Sequence, residues 1–214
     1  SIIQPAISTV LQALRDQTGS ILVFLPGQGE INAVARGLAD ALKGHGEHQV
    51  QIAPLYGGLS LDRQQQAILP APAGTRKIVL STNLAETSLT IEGITVVVDS
   101  GLVREALFDP TTGMTRLTTR RISRASAEQR QGRAGRQAPG CCYRLWTEAQ
   151  QGRLVAHATP EILQADLAPM ALQLLSWGVV DSSELRWLDP PPQASYRQAI
   201  SLLERCGAAF MNKA

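Results

Sequence analysis

Apolar positions along the first two thirds of the chain switch repeatedly between a helical and a strand spacing. Pro5 to Gln17 puts Ile7, Val10, Leu11 and Leu14 on one helix face, and Gly19 ends it. Ser20 to Leu25 (SILVFL) is a short unbroken apolar run closed by Pro26-Gly27, the pattern of a buried strand and its turn. Gly29 to Leu42 repeats Ile31, Val34, Ala35, Leu38, Ala41 and Leu42 at helical spacing. Gln51 to Leu55 predicts a second strand, Tyr56-Gly57-Gly58 a turn, and Ser60 to Leu69 a helix with Ser60 as its N-cap. Lys77 to Ser81, Ile94 to Asp99 and Cys141 to Trp146 predict three further strands. Apolar strands without alternation, separated by helices, imply a parallel sheet covered on both faces: an α/β fold.

One segment breaks this rhythm. Between Leu102 and Ile122, the turn-forming Asp109-Pro110-Thr111-Thr112-Gly113 separates two arms bearing Arg, Leu and Thr, which predicts an inserted β-hairpin projecting from the sheet. After Trp146 the character changes again. Residues 150–157 are polar, Asp166 is expected to cap a helix with Pro169 in its first turn, and Gly178 stops it. Pro190-Pro191-Pro192 is a stiff break before a last helix, Ser195 to Cys206, ended by Gly207. The pattern divides the chain into residues 1–148, the α/β part, and residues 149–214, a small helical appendage.

Composition changes the picture little, but charge placement changes it a good deal. With 44% hydrophobic and 18% charged residues the chain can build a core. The net charge of +2 alone points to no anionic partner. Yet Val103 to Arg136 holds Arg104, Arg116, Arg120, Arg121, Arg124, Arg130, Arg133 and Arg136 against Glu105, Asp109 and Glu128, and no lysine. Such a stripe is the footprint of a phosphate or nucleic-acid surface, and arginine is the side chain that meets phosphate with two parallel donors. Cys141, Cys142 and Cys206 suit neither a disulfide framework nor a zinc site, and are expected to be reduced thiols of a cytoplasmic protein. No apolar run is long enough to predict a membrane span, and no signal peptide is visible. A chain that starts without Met inside a helical pattern is expected to be a piece of a longer protein.

The densest part of the stripe is "ASAEQRQGRAGR", Ala125 to Arg136. Ser126 and Gln129 have the spacing of a capping box, so a helix is expected from Ala125 to Arg133. Gln129, Arg133 and Arg136 then stand at i, i+4 and i+7 and can converge on one anion. Gly132 and Gly135 flank Arg133 and leave room for a ligand or another backbone to approach.

These residues carry a resemblance. Gln129-Arg130-Gln131-Gly132-Arg133-Ala134-Gly135-Arg136 resembles motif VI of superfamily 2 helicases, and the run from Ser81 to Ile91 (STNLAETSLTI) resembles motif V of their DEAH/RHA branch. Ile21 to Gly27 is similar to the strand and turn before motif IV, and Pro54 to Leu59 with Gln64-Gln65-Gln66 to the segment that follows it. Asp99-Ser100-Gly101, Phe108-Asp109-Pro110, Arg124 to Ala127 and Gly140 to Trp146 most resemble a bacterial type within that branch. The likeness covers nearly the whole chain. It implies a RecA-like lobe followed, from about Pro160, by the start of a winged-helix domain.

The resemblance also implies roles. Arg133 and Arg136 would be arginine fingers for charge developing on a γ-phosphate, and Gln129 would orient the attacking water. Ser88 would sense the nucleotide, Thr90 and Glu92 would lie near its ribose, Ile68 or Leu69 would pack on its base, and Arg130 would stand beside it. Thr82, Asn83 and the Gly57-Gly58 turn would hold a nucleic-acid backbone, with Arg104, Arg116 and Arg120 of the hairpin arms. The cofactor implied is ATP with Mg²⁺. The partners implied are single-stranded or partly duplex RNA and a preceding RecA-like lobe of the same protein, which would act as a monomer. Neither G-x-x-x-x-G-K-[ST] nor D-E-x-H occurs in the chain, so the phosphate cradle is expected on that other lobe and this part alone is expected to be inactive. A DNA-acting motor, or a non-enzymatic RNA-binding domain of the same fold, are the alternatives.

Overall fold

A computed structural model of the chain describes residues 1–43, 50–87, 89–135 and 139–209. Helix α1 (Ile3–Asp16) leads into strand β1 (Ser20–Phe24), and α2 (Gln28–Leu42), β2 (Val50–Leu55), α3 (Leu61–Ile68), β3 (Arg76–Ser81), α4 (Leu84–Thr87) and β4 (Ile94–Asp99) follow. Strands β5 (Leu102–Asp109) and β6 (Met114–Arg121) pair with each other as a separate two-stranded ribbon. Helix α5 (Arg124–Gln131) and strand β7 (Cys141–Arg144) close the α/β part. Helices α6 (Glu148–Gly152), α7 (Ala168–Ser176) and α8 (Gln193–Arg205) complete the described chain.

The main sheet has the order β2-β3-β1-β4-β7, every pair parallel. Alternate side chains of its apolar strands feed two cores, which is why the strands lack a polar face. Ile21, Val23, Ile78, Leu80, Val96 and Val98 pack with Ala6, Val10, Ile31, Val34 and Leu38 of α1 and α2. On the opposite face Leu22, Phe24, Val79 and Val97 pack with Ala67 of α3, Ala85 of α4 and Ala134. The sequence expectation of a parallel sheet with helices on both faces is met.

The chain divides into two compact units. One comprises residues 1–104 and 119–158, the other residues 105–118 and 159–209. The division after Ala158 falls ten residues later than the change of character seen in the sequence, because the Arg124 and Ala125 amides donate to the carbonyls of Val155 and Ala156. In the second unit, Leu167, Ala171 and Leu174 pack against Tyr196, Ala199 and Leu203, joining α7 to α8. Its ribbon segment is fixed by Phe108, whose amide donates to the Gln164 carbonyl at 3.0 Å, and by Gln198, whose Nε2 donates to the Pro110 carbonyl at 3.1 Å.

Local corrections have plain causes. Ser123, not Ser126, caps α5: its hydroxyl accepts from the Ser126 amide at 3.1 Å. The helix stops at Gln131, so Arg133 lies in the turn beyond it. Strand β7 ends at Arg144, two residues before Trp146. The polar stretch after Trp146 forms the short helix α6, started by a Thr147–Gln150 capping box. The hairpin turn matches its sequence signature. Asp109 accepts from the Thr111 amide at 2.9 Å and the Thr112 hydroxyl at 3.0 Å, and Gly113 takes φ +66°.

Candidate functional site

Parallel registers align Leu55, Ser81, Phe24, Asp99 and Arg144 in one row across the carboxyl ends of the strands. That end of an open α/β sheet is where ligands bind, because the connecting loops diverge there. The row is polar at its interior: Ser81 and Asp99 are fully buried. Thr82, Asn83 and the Gly57-Gly58 turn leave this end, after β3 and β2. Thr82 is half-buried, with its amide donating to the Leu55 carbonyl and its hydroxyl facing the Leu84 amide. Asn83, Gly57 and Gly58 are exposed.

The turn after α5 is held from two directions. The Arg133 amide donates to the Arg130 carbonyl at 3.1 Å. Its guanidinium donates to the Leu89 carbonyl at 2.8 Å and to the Glu86 carbonyl. Arg133 thus spans the two sides of the motif V-like loop. Leu22, Ala85, Leu89, Thr90, Ile91, Ile94 and Arg133 enclose a cavity of about 10 Å³, room for one water. A nucleotide does not fit inside; this face can supply only one wall of a nucleotide site. Gln129 is exposed on α5, and Thr90 and Glu92 are exposed on the approach to β4. Among the described residues, a Cβ at Gly135 would meet nothing within 4 Å. Arg136 and Ser88 lie outside the described residues.

The expected base-contacting residues sit at the end of α3. Ile68 packs on the second core, while Leu69 is 55% exposed. The buried Lys77 fixes this end: its ammonium donates to the carbonyls of Gln66 and Leu69, where the helix dipole is negative. Burial lowers the Lys77 pKa below its ordinary value.

Two of the named arginines are paired within the lobe. Arg130 lies in the interior, 1% exposed. Its Nε donates to Glu86 at 2.8 Å, and its Nη1 to Asp99 at 3.0 Å and the Leu102 carbonyl at 3.2 Å. Its Cζ lies 4.8 Å from the Phe24 ring centroid. Burial raises the Asp99 pKa, against the pull of Arg130 and a hydrogen bond from the Gly101 amide. Arg104 pairs with Glu30 at 3.0 Å and faces Thr119. Arg116 and Arg120 are exposed on β6. Glu86, Asp99 and Phe24 lie in segments quoted for the resemblance but were given no role from the sequence. The signal was a carboxylate ending an otherwise apolar strand (ITVVVD), which only a buried cation could accommodate. Among the described residues, no cluster of three or more His, Cys, Asp or Glu could hold a metal ion.

The motifs at the carboxyl end of this sheet are those of a helicase motor lobe, and residues 5–138 match the helicase conserved C-terminal domain; the chain belongs to that family. It is 51% identical over 197 residues to the ATP-dependent RNA helicase HrpB of Escherichia coli (strain K12), covering 92% of this chain and 24% of the relative. It is 43% identical over 199 residues to the probable ATP-dependent RNA helicase DHX34 of Homo sapiens, covering 93% of this chain and 17% of that one. The crystal structure of the Escherichia coli DEAH/RHA helicase HrpB superimposes with a TM-score of 0.88 at 49% identity, over 96% of this chain and 26% of that chain. The sheet and its helices are therefore RecA-like, and the lobe is the C-terminal one of a DEAH/RHA helicase. The chain spans about a quarter or less of the length of these relatives.

Proposed function

We propose that this chain is the second motor lobe of an ATP-dependent RNA helicase, closing on a nucleotide held mainly by another lobe of the same protein. The observation that carries the proposal is Arg133. Its guanidinium rests on the Leu89 and Glu86 carbonyls beside Thr90, next to a cavity too small to enclose a nucleotide. A half-buried cation beside a cavity that small suits a triphosphate supplied from across a gap.

In this reading ATP and Mg²⁺ supply the phosphoryl chemistry, and the motif that cradles phosphates is absent from these residues. Arg133 and Arg136 neutralise charge that builds on the γ-phosphate oxygens as the bond breaks. Gln129, exposed on α5, orients the attacking water. Ser88, Thr90 and Glu92 face the nucleotide, and Ile68 and the exposed Leu69 provide an apolar rest for the base without aromatic stacking. Thr82, Asn83, Gly57 and Gly58 hold the RNA backbone, with Arg116 and Arg120 of the ribbon. The segment from about Pro160 is the start of a winged helix. The protein works as a monomer in the cytoplasm.

The test is steady-state ATP hydrolysis with and without single-stranded RNA. The full-length protein hydrolyses ATP and is stimulated by RNA; residues 1–214 alone do not. Arg136→Ala in the full-length protein lowers turnover by ~10³-fold with RNA affinity retained. Robust turnover by residues 1–214 alone would overturn the two-lobe reading. A DNA strand of equal length that stimulates as well as RNA would overturn the choice of RNA.

A further inference from the structure

Arg130 and Arg133 grip the same residue from opposite ends. Arg133 donates to the carbonyl of Glu86, and Arg130 donates to its carboxylate at 2.8 Å. The other Glu86 oxygen accepts from the Ser126 hydroxyl at 2.6 Å. From Glu86 the network continues through the same guanidinium to Asp99 and to the carbonyl of Leu102, the first residue of the ribbon. The Asp99 oxygen that meets Arg130 also accepts from the Gly101 amide at 2.9 Å. The turn carrying Arg133 hangs from the Arg130 carbonyl. The buried Arg130 side chain therefore touches the motif V-like helix, the end of β4 and the ribbon root, and its own carbonyl holds the motif VI-like turn.

Stability alone does not explain this arrangement. A guanidinium and two carboxylates buried together carry a large desolvation cost, and apolar side chains of similar volume generally pack there as well or better. The second Asp99 oxygen is buried with no hydrogen-bond partner, so the cluster is not optimised for satisfaction either. What an ion network does supply is a fixed relation among elements. Removing one partner leaves an uncompensated charge, so the members move together or not at all.

We propose that Arg130 is a positioning residue that couples the Arg133 turn, through Glu86, to the root of the β5–β6 ribbon, so that nucleotide hydrolysis and RNA handling are linked. This rests on the helicase reading above. Arg130 touches neither ATP nor RNA. When Arg133 leaves the Glu86 carbonyl for a phosphate, Glu86 is released at one end while Arg130 still holds the other, and the shift passes to Asp99 and Leu102. A second tie, Arg104 to Glu30, holds the ribbon root to α2.

The experiment uses the full-length protein and compares parent, Arg130→Lys and Ser126→Ala. Lysine keeps the buried charge but cannot donate to Glu86, Asp99 and Leu102 in one fork. Ser126→Ala removes only the bond to Glu86 and tests the same route if Arg130→Lys fails to fold. Melting temperature, hydrolysis without RNA, stimulation by a uridine homopolymer, and unwinding of a duplex with a single-stranded tail are measured. Folded variants are expected to keep hydrolysis without RNA while RNA stimulation and strands separated per ATP fall, by about tenfold in Arg130→Lys and less in Ser126→Ala. Rescue is read by Arg130→Ala, which is expected to be worse than Arg130→Lys in the same ratio. If folded variants keep the parent ratio of unwinding to hydrolysis, or lose both activities in proportion, the positioning role is overturned. If the parent itself shows no RNA-stimulated hydrolysis, the helicase reading fails instead.

Discussion

The Arg133 Nη1 donates to the Leu89 carbonyl at 2.8 Å, which places the candidate finger on its own lobe's backbone. A fork that contacts two carbonyls on opposite sides of a loop does what an ammonium cannot. Arg133→Lys in the full-length protein keeps the charge and loses the fork. Turnover is expected to fall by ~10²-fold or more, with RNA affinity within a few-fold of the parent. Single-turnover hydrolysis and a salt-matched RNA titration check this. An unchanged turnover would mean that charge alone, not the fork, is needed.

Gly140 makes a close backbone contact on the other side of the same turn. A Cβ there would collide with the Ala134 carbonyl and stand 2.6 Å from the Thr95 carbonyl. Neither neighbour is a flexible side-chain tip, so relief requires moving the turn or strand β4. Gly140→Ala is expected to cost about 1–3 kcal/mol. In urea unfolding the midpoint falls with an unchanged slope. Gly135→Ala, which faces open space, is expected to change stability far less.

Cys142 gives a pH-dependent prediction. Burial, followed by the nearby Asp99 charge, pushes its thiol up to about 12, against an ordinary value of 9.0. Between those values the unfolded chain releases the proton and the folded chain keeps it. The thiol therefore has no effect on stability below pH 9, and stability falls as pH rises above it, by at most roughly 1.4 kcal/mol per pH unit. Cys142→Ala is expected to remove that part of the slope between pH 9 and 10.5 in parallel melts. Alkylation of the folded chain at pH 8 is expected to mark the exposed Cys206 first and Cys142 last.

Legibility in the sequence followed the range of the interactions. SILVFL, KIVLS and ITVVVD read as strands because both faces of the sheet are covered, so successive residues in their middles are apolar. The Asp109–Gly113 turn was readable because its hydrogen bonds join residues two or three apart. The cap of α5 was placed three residues late, at Ser126 instead of Ser123, because tertiary packing commits Ser126 to Glu86. Arg130 was illegible in principle. Its carboxylates lie 44 and 31 positions away, so nothing near it distinguishes a buried arginine from its solvent-facing neighbours. The Arg124 and Ala125 bonds to residues 155 and 156, which tie the stretch after Trp146 to the first unit, likewise join residues about thirty positions apart.

The second unit is assembled from two stretches, residues 105–118 and 159–209, with part of the first unit between them. A polypeptide leaves the ribosome from its amino end at a few residues per second. The ribbon tip must therefore emerge well before α7 and α8, the helices of the unit to which it belongs. During that interval Phe108 and Pro110, whose backbone partners are Gln164 and Gln198, have only solvent or a chaperone to face. Newly made chains stalled before Thr159 should be the species most prone to clump.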